Sequence, residues 1–357
     1  MKIGKFEFGK MDLLLVFVPI SLLLSYGGFA NSTILFGLSI IAIMPLASKM
    51  GHATEELSKI YGGQVGGLLN ATFGNAAELI IALIAINRGL EELVKASLTG
   101  SIIGNLLFVL GLSMFAGGLK HKEQKFSPNL AGLNSTMLLI AFMSIMIPSM
   151  FHFVPLEHRG NDESTLSMIV SVLLIGAYVL SMVFSLKTHN YLFREAVDEK
   201  PEKAEWSRNF SIAVLAISTI ALALVSEVFV GQIETVAHQF GLTELFIGAI
   251  VVAVAGNAAE HIGSIMFALK NDIELSINIT AGSSLQIAMF VAPLCVLAAE
   301  IMKKPMDLVF TPFEVIAVFA SVLIVNEISS DGRCNWFEGA QLMIMYLIIA
   351  ALFFFVR

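Results

Sequence analysis

Two glutamates stand in the middle of long apolar stretches, each inside the same five residues: Gly74-Asn75-Ala76-Ala77-Glu78 and Gly256-Asn257-Ala258-Ala259-Glu260. A carboxylate carried to the centre of a bilayer costs roughly 2.5 to 3.5 kcal/mol on insertion scales, so an intramembrane Glu is read first as functional. Here that cost is incurred twice. The motif Asn residues add amide oxygens, and Gly74 and Gly256 are expected either to break their helices, freeing backbone carbonyls, or to allow a close approach. Such irregular backbone is tolerated in lipid only where it lines a cavity. The small residues Ala76, Ala77, Ala258 and Ala259 would let two helices cross closely and bring Glu78 and Glu260 face to face.

Two carboxylates, two amides and freed carbonyls make an all-oxygen donor set, which suits hard cations; Ca²⁺ takes about 6 to 8 oxygens. Two Glu neutralise one divalent ion. When it leaves, desolvation and mutual repulsion disfavour the doubly charged pair, so the vacated site takes up protons. Cation and proton then compete for the same carboxylates, and the two groups titrate as one coupled pair. The bland reading, an interhelical hydrogen-bonding pair amid packing residues, does not explain why an ionisable group recurs at both positions. Further candidates for the cation or proton path are Ser101, Ser283, His261, Gln286, Asn105 and Glu55. Glu55 and Glu56 read as loop acids just before a span, where a negative mouth would concentrate cations. Glu92 and Glu274 read as acids placed near helix N-termini by the dipole.

The elements that must hold these groups are membrane helices. The chain has 357 residues, 57% hydrophobic and only 14% charged, whereas a soluble domain carries about 25% charged residues. Apolar runs predict eleven spans, near 12–28, 32–50, 61–87, 97–118, 131–150, 164–186, 209–231, 243–269, 273–300, 312–328 and 338–356. The N-terminal run resembles a secretory signal in its basic flank, but is read as the first membrane helix. A polar connection at 187–208 carries an acidic and basic run, read as a solvated linker with a regulatory role as the alternative. Placing the N-terminus in the cytoplasm and the C-terminus outside divides the 21 Lys and Arg 15 to 6 in favour of the cytoplasmic side. Net charge of −7 says little about partners when so much of the chain lies in lipid, and nothing points to nucleic acid. The two cysteines have no CxxC spacing, so neither a disulfide framework nor a zinc site is suggested.

Shifting the chain by 182 residues aligns 74–112 with 256–294, and 13 of those 39 positions are identical, among them Glu92 with Glu274 and Gly100-Ser101 with Gly282-Ser283. Chance apolar matching does not align Gly, Asn, Glu and Ser. The predicted organisation is therefore an extra N-terminal helix (1–30), a first five-helix repeat (31–186), the linker (187–208) and a second five-helix repeat (209–357). An odd number of spans per repeat makes the two inverted. The expected fold class is an all-α polytopic membrane protein.

The pair GNAAELI at 74–80 and GNAAEHIGSI at 256–265, each followed by a Gly-Ser (Gly100-Ser101, and GSSLQ at 282–286), resembles the Ca²⁺/H⁺ antiporter family of the cation/calcium exchanger superfamily. The resemblance runs along the whole chain. It implies a Ca²⁺ site in which Glu78 and Glu260 bind the ion with Asn75 and Asn257, and a cation path that includes the Gly-Ser serines, His261, Gln286 and an acid at Glu55. Gly104, which stands where a polar residue would mirror Gln286, departs from symmetry. Ca²⁺ is then transported substrate rather than cofactor, and no cofactor or enzymatic activity is expected. The partners are Ca²⁺, H⁺ and lipid, in a prokaryotic inner membrane, with homo-oligomerisation left open. Sodium/calcium exchangers share the architecture but place hydroxyls before the Glu, and none stands at 75–77; Thr72 is the nearest. A cation channel is a weaker rival, since it would form one open oligomeric pore. No HExxH or GxSxG supports a hydrolase.

Overall fold

The computed structural model describes residues 2–3, 6–7, 10–62, 66, 68–69, 72–155, 162–189, 204–304 and 306–356. A 3₁₀ turn over Lys10–Val16 leads into α1, Phe17–Gly27, and Asn31 caps α2, Ser32–Tyr61, by accepting the Ile34 N–H. There follow α3, Ala76–Asn87; α4, Glu91–His121; α5, Pro128–Phe151; and α6, Asp162–Thr188. After the linker come α7, Arg208–Val230; short α8, Ile233–Phe240; α9, formed by Glu244–Ala258 and Glu260–Leu269; and α10, Ile273–Met302. The last two are α11, Pro312–Ile328, and α12, Trp336–Phe355. Both start with a full capping box, Thr311 with Glu314 and Asn335 with Glu338, which accounts for an acid at each of these apolar helix starts.

Among the described residues, seven helices are long and apolar enough to cross a membrane, eight if the two arms of α9 count as one span; Met11–Gly27 and Ala76–Asn87 are shorter apolar helices. The span expected near 61–87 falls partly on 63–65, 67, 70 and 71, outside the described residues. Two expectations are corrected. The second span does not end near residue 50: α2 continues as helix to Tyr61. Glu55 and Glu56 therefore sit on a helix rather than a loop, supported by Lys59 at the favourable three- and four-residue spacings. Gly256 does not break its helix either, because the chain is helical through 253–269 and the 67° bend in α9 falls between Ala258 and Glu260. In the first motif the backbone does turn at Gly74-Asn75, immediately before α3.

Among the described residues four helices contain a π-helical turn: Gly104–Val109 in α4, Phe184–Thr188 at the end of α6, Ile247–Val252 in α9 and Ile287–Val291 in α10. Such turns are rare and concentrate at functional sites. Those of α4 and α10 begin just after Gly100-Ser101 and Gly282-Ser283 respectively. A short antiparallel ladder pairs β3, Glu123–Lys125, with β4, Arg333–Asn335, and a further ladder joins β1, Lys2–Ile3, to β2, Phe6–Glu7.

Candidate cation site

The first motif places Glu78 in the opening turn of α3 with Asn75 at its N-cap. Asn is a favoured N-cap because its side chain normally accepts a backbone N–H of the first turn. Asn75 does not do so; its Oδ1 accepts the Ser283 hydroxyl of α10 at 2.9 Å. The second motif makes the reciprocal contact. Asn257 of α9 donates Nδ2 to the Ser101 Oγ of α4 at 3.0 Å and to the Ala253 carbonyl at 2.9 Å. Each motif Asn is thus tied to the Gly-Ser serine of the other half, and the carbonyl of Ala253 fixes which way the Asn257 amide points.

Glu78 and Glu260 border one cavity of about 1270 Å³, together with Gly74, Gly256, Ser283 and Gln286. Gly256 is there for room: a Cβ on it would lie 2.8 Å from Glu78 Oε1 and 3.3 Å from its Cδ. Gly100 plays a comparable part at the α4–α9 crossing, where a Cβ would run into the Ala249 carbonyl. The glycines thus bring helices and a carboxyl group into close approach, which is the use the sequence could not distinguish from a break.

Of the seven buried side-chain oxygens that have no hydrogen-bond partner among the described residues, three belong to the two motifs: Glu78 Oε1, Glu260 Oε2 and Asn257 Oδ1. A buried polar group left unpaired costs about 1 to 3 kcal/mol, and such a group in a native structure calls for an explanation. Three acceptors facing no donor fit a cation or added protons as the missing partner. Among the described residues, no group of three or more His, Cys, Asp or Glu could hold a metal ion, so amide or backbone oxygens must complete any coordination.

The cavity runs from the two acids past Asn134, Asn278, Tyr178 and Ser181 to a mouth bordered by Asp12, His52, Glu55, Glu205 and Trp206. It opens at the end where the linker joins α7. Glu55 lies at this mouth, paired with Lys59 at 2.8 Å. Asn75, Asn257 and Ser101 are buried and do not border the cavity. Asn105 is buried on the α4 π turn with an unpartnered Nδ2. The structure does not bring His261 to the cavity; its ring meets Phe108 edge-on at 6.5 Å. Asn134 donates to Asn278 Oδ1 at 3.2 Å, and this cavity-lining pair was missed. Its signal was an amide interrupting each of two otherwise apolar helical runs.

Away from the cavity, the connection between α10 and α11 is held by a separate polar network. Lys95 donates to the Val309 carbonyl at 3.0 Å and pairs with Glu92 at 2.6 Å and Asp307 at 3.5 Å. Ser149 and Ser167 hold the Leu308 and Phe310 backbone, and Thr99 donates to buried Glu314 at 2.9 Å.

Fold and site together define the class: an integral membrane protein of many apolar helices, with two acids bordering one cavity and two buried amides beside them. The chain belongs to the sodium/calcium exchanger protein family, whose profile matches residues 31–187 and 210–355. It is 46% identical to the Ca(2+)/H(+) antiporter of Synechocystis sp. over 96% of both chains. It is 47% identical to Ca(2+)/H(+) antiporter ChaA of Bacillus subtilis over 90% of this chain and 92% of that one. Among solved structures, native YfkE superposes with a TM-score of 0.85 at 42% identity, covering 97% of this chain and 100% of that one.

Proposed function

We propose that the chain is a secondary transporter that exchanges Ca²⁺ for H⁺, with Glu78 and Glu260 holding either the cation or protons. The observation that carries this reading is the pair of acids on one cavity, each with an oxygen that lacks a partner. Relatives named as Ca(2+)/H(+) antiporters support the ion pair. Sodium coupling is disfavoured, because residues 75–77 offer no hydroxyl to a small monovalent ion.

In this mechanism the cavity delivers the cation to carboxylates already arranged on α3 and α9. Asn257 Oδ1 adds a neutral oxygen whose direction is fixed by the Ala253 carbonyl. Asn75, held by Ser283, keeps the start of α3 in register with α10. Binding neutralises the acids; release leaves two like charges in low dielectric, which take up protons before the empty carrier reorients. Electroneutral occupancy in both directions makes the exchange obligatory. The cavity opens toward the linker, so this is the inward-facing state if the linker is cytoplasmic, with the N-terminus inside and the C-terminus outside.

The finer architecture belongs to the same proposal: eleven spans, an extra N-terminal helix over 1–30 and two inverted five-helix repeats over 31–186 and 209–357, joined by 187–208. Supporting it are the reciprocal Asn–Ser contacts, in which Asn75 and Asn257, and Ser101 and Ser283, are counterparts 182 residues apart, and the π turns that follow the two Gly-Ser pairs. Alternating access then follows as one repeat-related set of helices rocks against the other.

Reconstituted proteoliposomes enclosing a pH dye provide the test. External Ca²⁺ should alkalinise the lumen as protons leave, without Na⁺. Ca²⁺ uptake with no proton movement, or uptake that requires Na⁺, would refute the assignment.

A further inference from the structure

Glu56 is an acid in an unexpected place. It lies in the C-terminal part of α2, where the helix dipole disfavours negative charge, yet its side chain is 0% exposed. Its companion Glu55 is largely exposed. What compensates is the main chain of the linker end: Glu56 Oε2 accepts the backbone N–H of Glu205 at 2.6 Å and of Trp206 at 2.7 Å, while Lys59 approaches Oε1 at 3.2 Å. Charge-assisted bonds of this length are among the strong ones.

Because the donors are backbone groups, Glu56 recognises the path of the chain rather than any side chain. It thereby fixes what that path presents to the cavity. Trp206 is buried and meets the His52 ring of α2 edge-on at 4.4 Å, with Phe210 of α7 against its other side at 5.0 Å. Glu205, Trp206, His52 and Glu55 all border the mouth. One wall of the opening is therefore built from a loop, and that loop is held to α2 by one buried carboxylate.

We propose that Glu56 is a positioning residue for cation access, acting through the 205–206 backbone to keep the mouth open and its rim acids in place. Nothing in the proposed chemistry at Glu78 and Glu260 requires Glu56, so loss of the clamp should impair capture and leave turnover intact. This inference rests on the proposed cation exchange, but its first readout does not depend on transport.

The chain has two tryptophans, so Trp336→Phe leaves Trp206 as the sole emitter. In that background, Glu56→Ala should raise acrylamide quenching of Trp206. Glu56→Gln, which keeps an acceptor oxygen for the two N–H groups, should quench nearly as wild type. In Ca²⁺-driven proton exchange, Glu56→Ala should raise KM for Ca²⁺ roughly tenfold, the scale of lost electrostatic focusing, with kcat unchanged. Trp206→Leu, which leaves Glu56 in place, should also raise KM and covers the case in which Glu56→Ala fails to fold. Unchanged quenching in Glu56→Ala refutes the clamp. A released Trp206 with wild-type KM, or a fall in kcat at constant KM, refutes the role in access. Absence of exchange in the unmutated protein would refute the transport assignment while the quenching result still decided the clamp.

Discussion

Two regions of the molecule treat buried polar groups in opposite ways. In the two motifs, Glu78, Glu260 and Asn257 each keep an oxygen without a partner. At the α10–α11 connection, Lys95, Thr99, Glu314, Ser149 and Ser167 each donate or accept within a network that ties 307–314 to α4, α5 and α6. In the proposed exchange the unmet acceptors at the acids are what a transported ion or protons would satisfy, whereas the satisfied network holds the 307–314 connection to three helices.

The largest effect should come from removing charge in the two motifs. Glu78→Gln or Glu260→Gln should lower Ca²⁺/H⁺ exchange in proteoliposomes by about a hundredfold or more, the loss expected when a group essential to the step is removed. Thermal unfolding in the absence of Ca²⁺ should occur at an unchanged or higher temperature, because a buried like charge has been deleted. Robust exchange by either variant would break the comparison at its centre. A smaller effect is expected from Gly256→Ala, whose methyl would meet Glu78 Oε1 at 2.8 Å. Displacing that carboxyl should cut exchange roughly tenfold with the protein still folded, since misplacement by about 1 Å costs on that order or more. Wild-type flux would show that Glu78 does not need its present position. Smallest for transport, but visible in stability, is Lys95→Met. Leaving the Val309 carbonyl unpaired should destabilise by about 1 to 3 kcal/mol, measured by thermal unfolding in detergent. A Lys95→Met protein as stable as wild type, but unable to bind Ca²⁺, would reverse the roles assigned to the two regions.

Much of this was legible in the residues. The twin acids were found because charge amid apolar sequence has few uses, and the structure places both on one cavity. Asn75 and Ser283 were named separately, yet their contact could not be read, since pairing across 208 residues depends on how α3 and α10 cross. The ends of helices were less readable. Residues 51–61 look like a break by hydropathy, but i to i+4 pairing with Lys59 and burial of Glu56 extend α2 through them. Glycine was ambiguous for a related reason: Gly74 sits at a turn, while Gly256 lies within a helix and makes space for the carboxyl of Glu78. A residue without a side chain signals that something comes close, and the sequence does not say whether it is backbone or neighbour. His261 attracted notice by adjacency to Glu260, but neighbours in a helix point about 100° apart, and its ring faces Phe108.

The ladder between 123–125 and 333–335 has a mechanical meaning. Three residue pairs of backbone, extended by the Phe126 N–H to the Gly332 carbonyl, weld the end of α4 to the start of α12. These two helices also pack together in the interior, where the Phe108 and Tyr346 rings meet at 5.0 Å, tilted by 31°. In the proposed rocking, this seam makes α4 and α12 a single rigid body, so Ser101 keeps its place relative to α12 whichever helices travel.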